Sequence, residues 1–258
     1  MQREDLCVEV DALAAGGAVV LDASWLYPPL NAAGIDVRAR YREAHIPGSI
    51  FLDLAALAPE PPVDRAEVPA IAPPPAASLS TALAGIGVGP RTALVVTDQD
   101  GGVSTAPFAR LALLDAGFAK VRLLDGGTPA WVAAGQPLTA ESPRVLGAPV
   151  AGAWARGGRF VDTAATRAAL ADGWAHVVDA RFAPTNERVL PPRFAQVRIP
   201  ATAVLRPGEV IAERAGGPRL RAAAELRALA AARGLADGRP VIVTCHFGVG
   251  AAVVATAL

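Results

Sequence analysis

A set of short motifs occurs twice in this chain of 258 residues, and the repetition constrains the fold more than any other feature. Val20–Ala23, an apolar run that ends in Asp-Ala, recurs as Val177–Ala180. Leu94–Asp98 likewise matches Val241–Cys245, and the copies lie roughly 150 residues apart in both cases. Two homologous domains in one chain are the simplest explanation of motifs that keep their order and spacing.

Both halves alternate short apolar runs with helical stretches such as 77–84 and 220–233. This alternation predicts an α/β fold, with a mainly parallel sheet flanked by helices in each domain. Ligands in such folds bind at the carboxyl ends of strands, where both Asp98 and Cys245 fall.

The stretch between the halves is rich in Gly, Pro and Ala and has no clear periodicity, a composition typical of a linker. We therefore predict an N-terminal domain over residues 1–139, a linker over 140–158 and a C-terminal domain over 159–258.

Charge and cysteine content narrow the class of protein. Lys and Arg number 24, as do Asp and Glu, so no basic excess exists to neutralise nucleic acid or an anionic membrane. The two cysteines, Cys7 and Cys245, lie far apart and do not indicate a disulfide framework. The charged N-terminus lacks an apolar signal region, so we expect a cytoplasmic protein. No pattern indicates a particular oligomeric state.

Cys245 is the best candidate for chemistry in the chain. It ends an apolar strand, and a loop of small residues then leads into an Ala/Val-rich helical stretch. The start of a helix offers unpaired N–H groups and the positive end of the helix dipole, both of which favour a thiolate nucleophile. The candidate active-site loop consists of His246, Phe247, Gly248, Val249 and Gly250.

Four motifs carry a resemblance to a known family: Ala44–Ile50 (AHIPGSI), Leu124–Trp131 (LDGGTPAW), Asp179–Arg181 (DAR) and the loop Cys245–Ala251. In these motifs the chain resembles tandem-domain sulfurtransferases of the rhodanese / 3-mercaptopyruvate sulfurtransferase family. The resemblance implies two rhodanese-like domains, of which the N-terminal one is catalytically silent. Asp98 agrees with this, since it stands where the first domain would need a thiol.

The resemblance also implies a reaction. Cys245 would take the outer sulfur of a small anionic donor, thiosulfate or 3-mercaptopyruvate, as a persulfide and pass it to a thiol or cyanide acceptor. No metal or organic cofactor is implied. Arg188 and Arg193 best match the family's donor-binding arginines, with Arg181 as the alternative. Guanidinium groups suit this role because they bind carboxylate-like oxygens in a bidentate manner.

The loop departs from the family pattern. His246 and Phe247 replace the basic pair of thiosulfate enzymes or the Gly-Ser of mercaptopyruvate enzymes, and Gly250 replaces the usual Thr, so the donor stays open. His246 either adds positive charge below neutral pH and assists thiolate formation, or is a solvent-facing loop residue. We expect Asp98 to be a solvated loop acid rather than an acid–base group.

The sequence ends at Leu258, inside the helix expected after the Cys245 loop, so we predict a C-terminally incomplete second domain. This prediction and the altered loop keep a second function open, a catalytically weak or inactive rhodanese-like module for binding or sulfur carriage. A cysteine phosphatase is disfavoured, because the phosphate-binding Arg six residues after the Cys is replaced by Ala251.

Overall fold

The structure is a computed structural model that describes residues 3–25, 34–58, 72–143, 147, 150, 157–181 and 199–258. Contacts divide the chain into two compact units. The first comprises the described parts of Met1–Pro59, Ala72–Phe160 and Glu213–Arg219, and the second those of Val161–Ala212 and Leu220–Leu258. The domain and linker boundaries drawn from the sequence stay a prediction.

The first unit contains a five-stranded parallel sheet. Its strands are β1 (Cys7–Val8), β2 (Val19–Asp22), β3 (Ile50–Phe51), β4 (Ala93–Thr97) and β5 (Lys120–Leu124), in the spatial order β1-β5-β4-β2-β3. The central strand β4 is apolar almost throughout and buried from Leu94 onward, as expected where helices cover both faces of a parallel sheet.

The helices of this unit are α1 (Arg3–Leu6), α2 (Val10–Ala14), α3 (Val37–Glu43), α4 (Leu54–Leu57), α5 (Ala76–Ala84), α6 (Thr105–Asp115) and α7 (Gly127–Ala133). Helix α6 packs against β4 and β5. Helix α3 begins at an Asp cap, since the Asp36 carboxylate accepts a hydrogen bond from the N–H of Ala39 at 2.9 Å.

Two of the family motifs stabilise this first unit. His45 is buried, with Nδ1 2.6 Å from the carbonyl oxygen of Tyr41 and Nε2 3.1 Å from that of Glu141. Trp131 packs in the core and donates its indole N–H to the carbonyl oxygen of Pro137 at 2.8 Å. His45 therefore links its motif to Glu141, far along the chain, and Trp131 links α7 to the segment that follows it.

The second unit contains a three-stranded parallel sheet of β6 (His176–Asp179), β7 (Ala203–Val204) and β10 (Val241–Thr244), in the order β10-β6-β7. Strands β8 (Ile211–Arg214) and β9 (Gly217–Leu220) form a separate two-stranded sheet, whose segment Glu213–Arg219 belongs to the first unit. The helices are α8 (Thr163–Asp172), α9 (Pro207–Val210), α10 (Ala223–Ala232) and α11 (Val249–Ala257). Helix α11 packs against both β10 and α9.

The two sheets share one local register. Asp22 of β2 pairs with Thr97 of β4, and Asp179 of β6 pairs with Thr244 of β10. In each unit the residue after the Asp donates its N–H to the carbonyl oxygen of the paired Thr, at 2.9 Å in the first unit and 2.8 Å in the second. Asp98 and Cys245 therefore leave their sheets at equivalent points.

The predicted fold class, parallel sheets flanked by helices, is confirmed. The predicted incompleteness of the second domain stays a prediction. Within the described part of the chain, no helix has the length and apolar character needed to cross a membrane.

Candidate active site

Cys245 lies between the end of β10 and the start of α11, as the sequence predicts. Its Sγ accepts hydrogen bonds from two backbone N–H groups, that of Gly248 at 3.1 Å and that of Ala251 at 3.2 Å. The residue itself is half-buried, not enclosed in the core. Donors aimed at one sulfur stabilise negative charge on it, which is what a nucleophilic thiolate requires.

The loop after Cys245 turns sharply into the helix. Gly248 has φ +92°, a value that residues other than glycine rarely adopt, and the helix begins at the half-buried Val249. Phe247 is only 7% exposed, so its ring points into the unit and serves packing. The assignment of residues 246–250 to the active site is nevertheless a prediction.

Asp179 and Arg181 form an ion pair in the same unit. The Arg181 Nε and Nη2 groups donate to the carboxylate oxygens of Asp179 at 2.7–3.1 Å, and the Arg181 backbone N–H donates to it as well. Asp179 pairs in register with Thr244, the residue before Cys245, so the ion pair stands at the same sheet edge as the sulfur. Burial raises the pKa of Asp179, but the hydrogen bonds and charge of Arg181 outweigh it and hold that pKa below its usual value.

His246 differs from both sequence-based interpretations. Its ring is half-buried rather than turned to solvent. Burial lowers the pKa of His246 and the positive charge of Arg181 lowers it further, while Asp179 partly opposes the shift. The ring is therefore less easily charged than an ordinary histidine, which disfavours the idea that it adds positive charge below neutral pH.

The two arginines predicted to bind the donor, Arg188 and Arg193, lie outside the described residues. Their role stays a prediction. Arg181, the alternative, is described, and Asp179 neutralises much of its charge. Among the described residues, no group of three or more His, Cys, Asp or Glu side chains could hold a metal ion.

Asp98, the counterpart of Cys245 in the first unit, is not the solvated loop acid expected from the sequence. It is 1% exposed. Its carboxylate accepts four backbone hydrogen bonds, from Asp100, Gly102, Ser104 and Ala106, at 2.8–3.2 Å. The carboxylate thus lies inside the loop of residues 98–104, between β4 and α6. Because four N–H groups bond to it there, a charged side chain is tolerated at a buried position.

Burial raises the pKa of the Asp98 carboxyl above its usual range, although the N–H groups of Ala106 and Gly102 oppose this shift. A carboxylate enclosed in this way leaves no room for a substrate at the same donors. The geometry agrees with a loop that has a structural role.

Sequence reasoning missed a close contact between the candidate active-site loop and helix α9. Gly250, a buried residue in the first turn of α11, lies against Pro207 at the start of α9. A Cβ placed on Gly250 would lie 3.1 Å from the Pro207 ring, 3.6 Å from the Ala180 carbonyl oxygen and 3.8 Å from the Cys245 sulfur. A Pro-Gly pair after an apolar strand was the available signal, but nothing in it indicates which loop it contacts.

Comparisons with known proteins agree with this geometry. The model of the rhodanese-like domain family matches residues 22–134. The chain is 34% identical over 133 residues to the thiosulfate sulfurtransferase of Azotobacter vinelandii, a match covering 51% of this chain and 46% of that relative. The chain thus spans less than half the length of this relative.

Longer matches carry both names, since one of 245 residues is to the putative thiosulfate sulfurtransferase SseB of Mycobacterium tuberculosis, at 32% identity over 93% of this chain and 81% of that relative. The chain is 30% identical over 232 residues to the 3-mercaptopyruvate sulfurtransferase of Escherichia coli, covering 86% of this chain and 76% of the relative. The crystal structure of SseA from Escherichia coli, described among 3-mercaptopyruvate sulfotransferases, superposes with a TM-score of 0.76 at 27% identity and covers 100% of this chain and 93% of its own. These relatives are named sulfurtransferases, and the chain belongs to the rhodanese / 3-mercaptopyruvate sulfurtransferase family.

Proposed function

We propose that this protein is a sulfurtransferase in which Cys245 carries the transferred sulfur as a persulfide. The observation that supports this most directly is the pair of N–H groups, of Gly248 and Ala251, that donate to the cysteine sulfur. They are positioned to hold the negative charge of the attacking thiolate. The same donors remain next to the negative charge after the sulfur has been transferred.

The first half-reaction loads the cysteine. With thiosulfate, the Cys245 thiolate forms a bond to the outer sulfur, the sulfur–sulfur bond of the donor breaks, and sulfite leaves with the bonding electrons. With 3-mercaptopyruvate, the carbon–sulfur bond breaks instead, and the resulting enolate takes up the thiol proton of the donor and leaves as pyruvate. Both routes produce the same persulfide.

The second half-reaction returns the enzyme to its starting state, because a thiol or cyanide acceptor removes the outer sulfur and releases the Cys245 thiolate. Donor and acceptor never need to be bound together, so we expect ping-pong kinetics. Arg188 and Arg193 are proposed to bind the anionic donor, on the strength of the sequence motif alone. The donor itself, thiosulfate or 3-mercaptopyruvate, is to be identified by comparing the two.

Intact-mass measurement tests this proposal. The protein is incubated separately with thiosulfate and with 3-mercaptopyruvate, and we expect the mass of one added sulfur with at least one of them. Cys245→Ala should lose the added sulfur completely. Cys7→Ala is the matched control, because it removes the other, buried cysteine, and it should retain the adduct.

Two outcomes would contradict the proposal. If neither donor adds a sulfur, the alternative of an inactive module for binding is favoured over an enzyme. If the adduct survives in Cys245→Ala and disappears in Cys7→Ala, the nucleophile has been assigned to the wrong residue. Where a sulfur is added, the relative rates with thiosulfate and 3-mercaptopyruvate identify the donor.

A further inference from the structure

His246 directly follows the proposed nucleophile, and one of its ring nitrogens has no partner. Nδ1 is shielded from solvent and makes no hydrogen bond within the described part of the chain. The ring as a whole is half-buried, so part of it can still be reached from outside. Buried polar nitrogens are normally paired in folded proteins. An unpaired one on the residue that directly follows the proposed nucleophile therefore points to a partner that arrives during the reaction.

The charged groups that act on this ring are Arg181 and Asp179, which are bonded to each other. Burial and Arg181 lower the pKa of His246, and Asp179 only partly reverses this. The lowered pKa favours the uncharged form of the ring. A neutral imidazole has one N–H and one nitrogen lone pair, so it can accept a proton on one side and donate one on the other.

We propose that His246 carries the proton in the second half-reaction when the acceptor is a thiol. This inference rests on the persulfide chemistry of the proposed function. A thiol is a poor nucleophile until it loses its proton, and a persulfide anion is a poor electrophile until its outer sulfur gains one. A neutral imidazole beside the persulfide can meet both needs.

The step balances without another reactant. The acceptor R–SH transfers its proton to Nε2 of His246, and Nδ1–H transfers its proton to the outer sulfur of the persulfide. The thiolate R–S⁻ then bonds to that outer sulfur, the bond between the two sulfurs of the persulfide breaks, and Cys245 leaves as a thiolate. The product is R–S–SH, and the ring regains its first tautomer by exchange with water.

The proposal also predicts which acceptors depend on the histidine. A thiol brings a proton that must be removed, whereas sulfite in mildly alkaline solution is mainly a dianion whose sulfur is already nucleophilic. A thiol needs both proton transfers, whereas sulfite needs only the protonation of the outer sulfur, so loss of His246 should slow discharge to thiols more than discharge to sulfite. The structure thus assigns to this residue a role that discriminates between acceptor classes.

The test follows the discharge of a preloaded persulfide. Wild-type protein and His246→Asn are loaded with whichever donor forms the adduct, and excess donor is removed. Each is then mixed with 2-mercaptoethanol or with sulfite, and loss of the added sulfur is timed by intact mass. Asparagine keeps polarity and carries no charge, like the neutral ring, but it cannot take up a proton.

We expect His246→Asn to discharge to 2-mercaptoethanol roughly 10- to 100-fold more slowly than the wild type near neutral pH, and to show a clearly smaller deficit with sulfite. The deficit should shrink as the pH rises, because the thiol then ionises without help. Added imidazole should restore part of the rate. A purely structural role would slow both acceptors equally, at every pH, and without rescue.

Failure of this inference and failure of the proposed function look different. If neither protein loads sulfur, the persulfide proposal itself is wrong. If both load and His246→Asn discharges to the thiol as fast as the wild type, only the role of the histidine is overturned. If the wild type loads and His246→Asn does not, the residue acts in loop structure or loading, and the proton-carrier role is again overturned.

Discussion

Gly250 shows how closely one residue can be tied to its surroundings. Its α-carbon faces Pro207, the Ala180 carbonyl oxygen and the Cys245 sulfur, all within 4 Å of where a Cβ would lie. The 3.1 Å approach to the proline ring is shorter than ordinary van der Waals contact. This crowding is a physical reason why the threonine usual in the family is absent here.

Substituting Gly250→Ala tests that crowding. Alanine in a helix normally gains about 0.5–1 kcal/mol over glycine, but the new Cβ must displace Pro207. We expect Gly250→Ala to be at least about 1 kcal/mol less stable in urea unfolding than Gly208→Ala. Gly208 lies in α9 with nothing within 4 Å of a Cβ, so it is a matched control. Equal stability of the two variants would show that position 250 has room to spare.

Cys245 and Asp98 stand at equivalent strand-to-helix connections of the two units, but their surroundings differ. In the second unit two N–H groups converge on a half-buried sulfur. In the first unit four converge on the buried carboxylate of Asp98, which lies at the entrance to α6. The same strand-to-helix connection therefore supports an accessible nucleophile in one case and a closed internal ion in the other.

Removing the carboxylate should destabilise the first loop. In Asp98→Ala the four N–H groups lose their acceptor inside the protein, so we expect the free energy of unfolding to fall by about 2–4 kcal/mol. Asp100→Ala is the control, because that side chain is exposed and the backbone N–H stays in place. Urea denaturation measures both. If Asp98→Ala is as stable as Asp100→Ala, the carboxylate is not what holds the loop.

Across the whole molecule, sequence order and compact units do not coincide. Glu213–Arg219 comes from the second half of the chain but belongs to the first unit. There Arg219 contacts Asp125, which is 4% exposed, at 3.2 Å, and Glu9 at 3.6 Å. It also lies directly over Gly126, where a Cβ would come within 2.9 Å of its Nε. The Asp-Gly-Gly motif thus depends on a residue far along the chain.

Arg219→Ala should therefore weaken the first unit. Asp125 would lose the cation next to its buried carboxylate, and we expect a loss of about 1–2 kcal/mol, because Arg219 is partly exposed. Amide hydrogen exchange in β5 should become faster. Arg91→Ala, at an exposed position of the same unit, provides the comparison. Unchanged exchange in β5 would contradict a stabilising role for Arg219.

The local sequence was sufficient to predict where the strands before Asp98 and Cys245 end. The apolar runs before Asp98 and Cys245, each followed by a loop and a helical stretch, led to the correct α/β class and placed both residues where parallel strands end. Those features depend on neighbours in the sequence, through strand propensity, helix formation and the turn at Gly248. The structure adds that three strands keep the same spatial order in the two sheets, β4-β2-β3 in the first and β10-β6-β7 in the second.

Sequence alone thus determined the family, the fold class and the position of the candidate nucleophile. Tertiary structure alone decided the surroundings of that nucleophile and of its counterpart. Asp98 was expected in solvent and is enclosed by its loop, burial and Arg181 lower the pKa of His246, and Pro207 packs against Gly250. Burial and charge at a residue are set by segments that meet only when the chain folds, and no local pattern encodes such meetings.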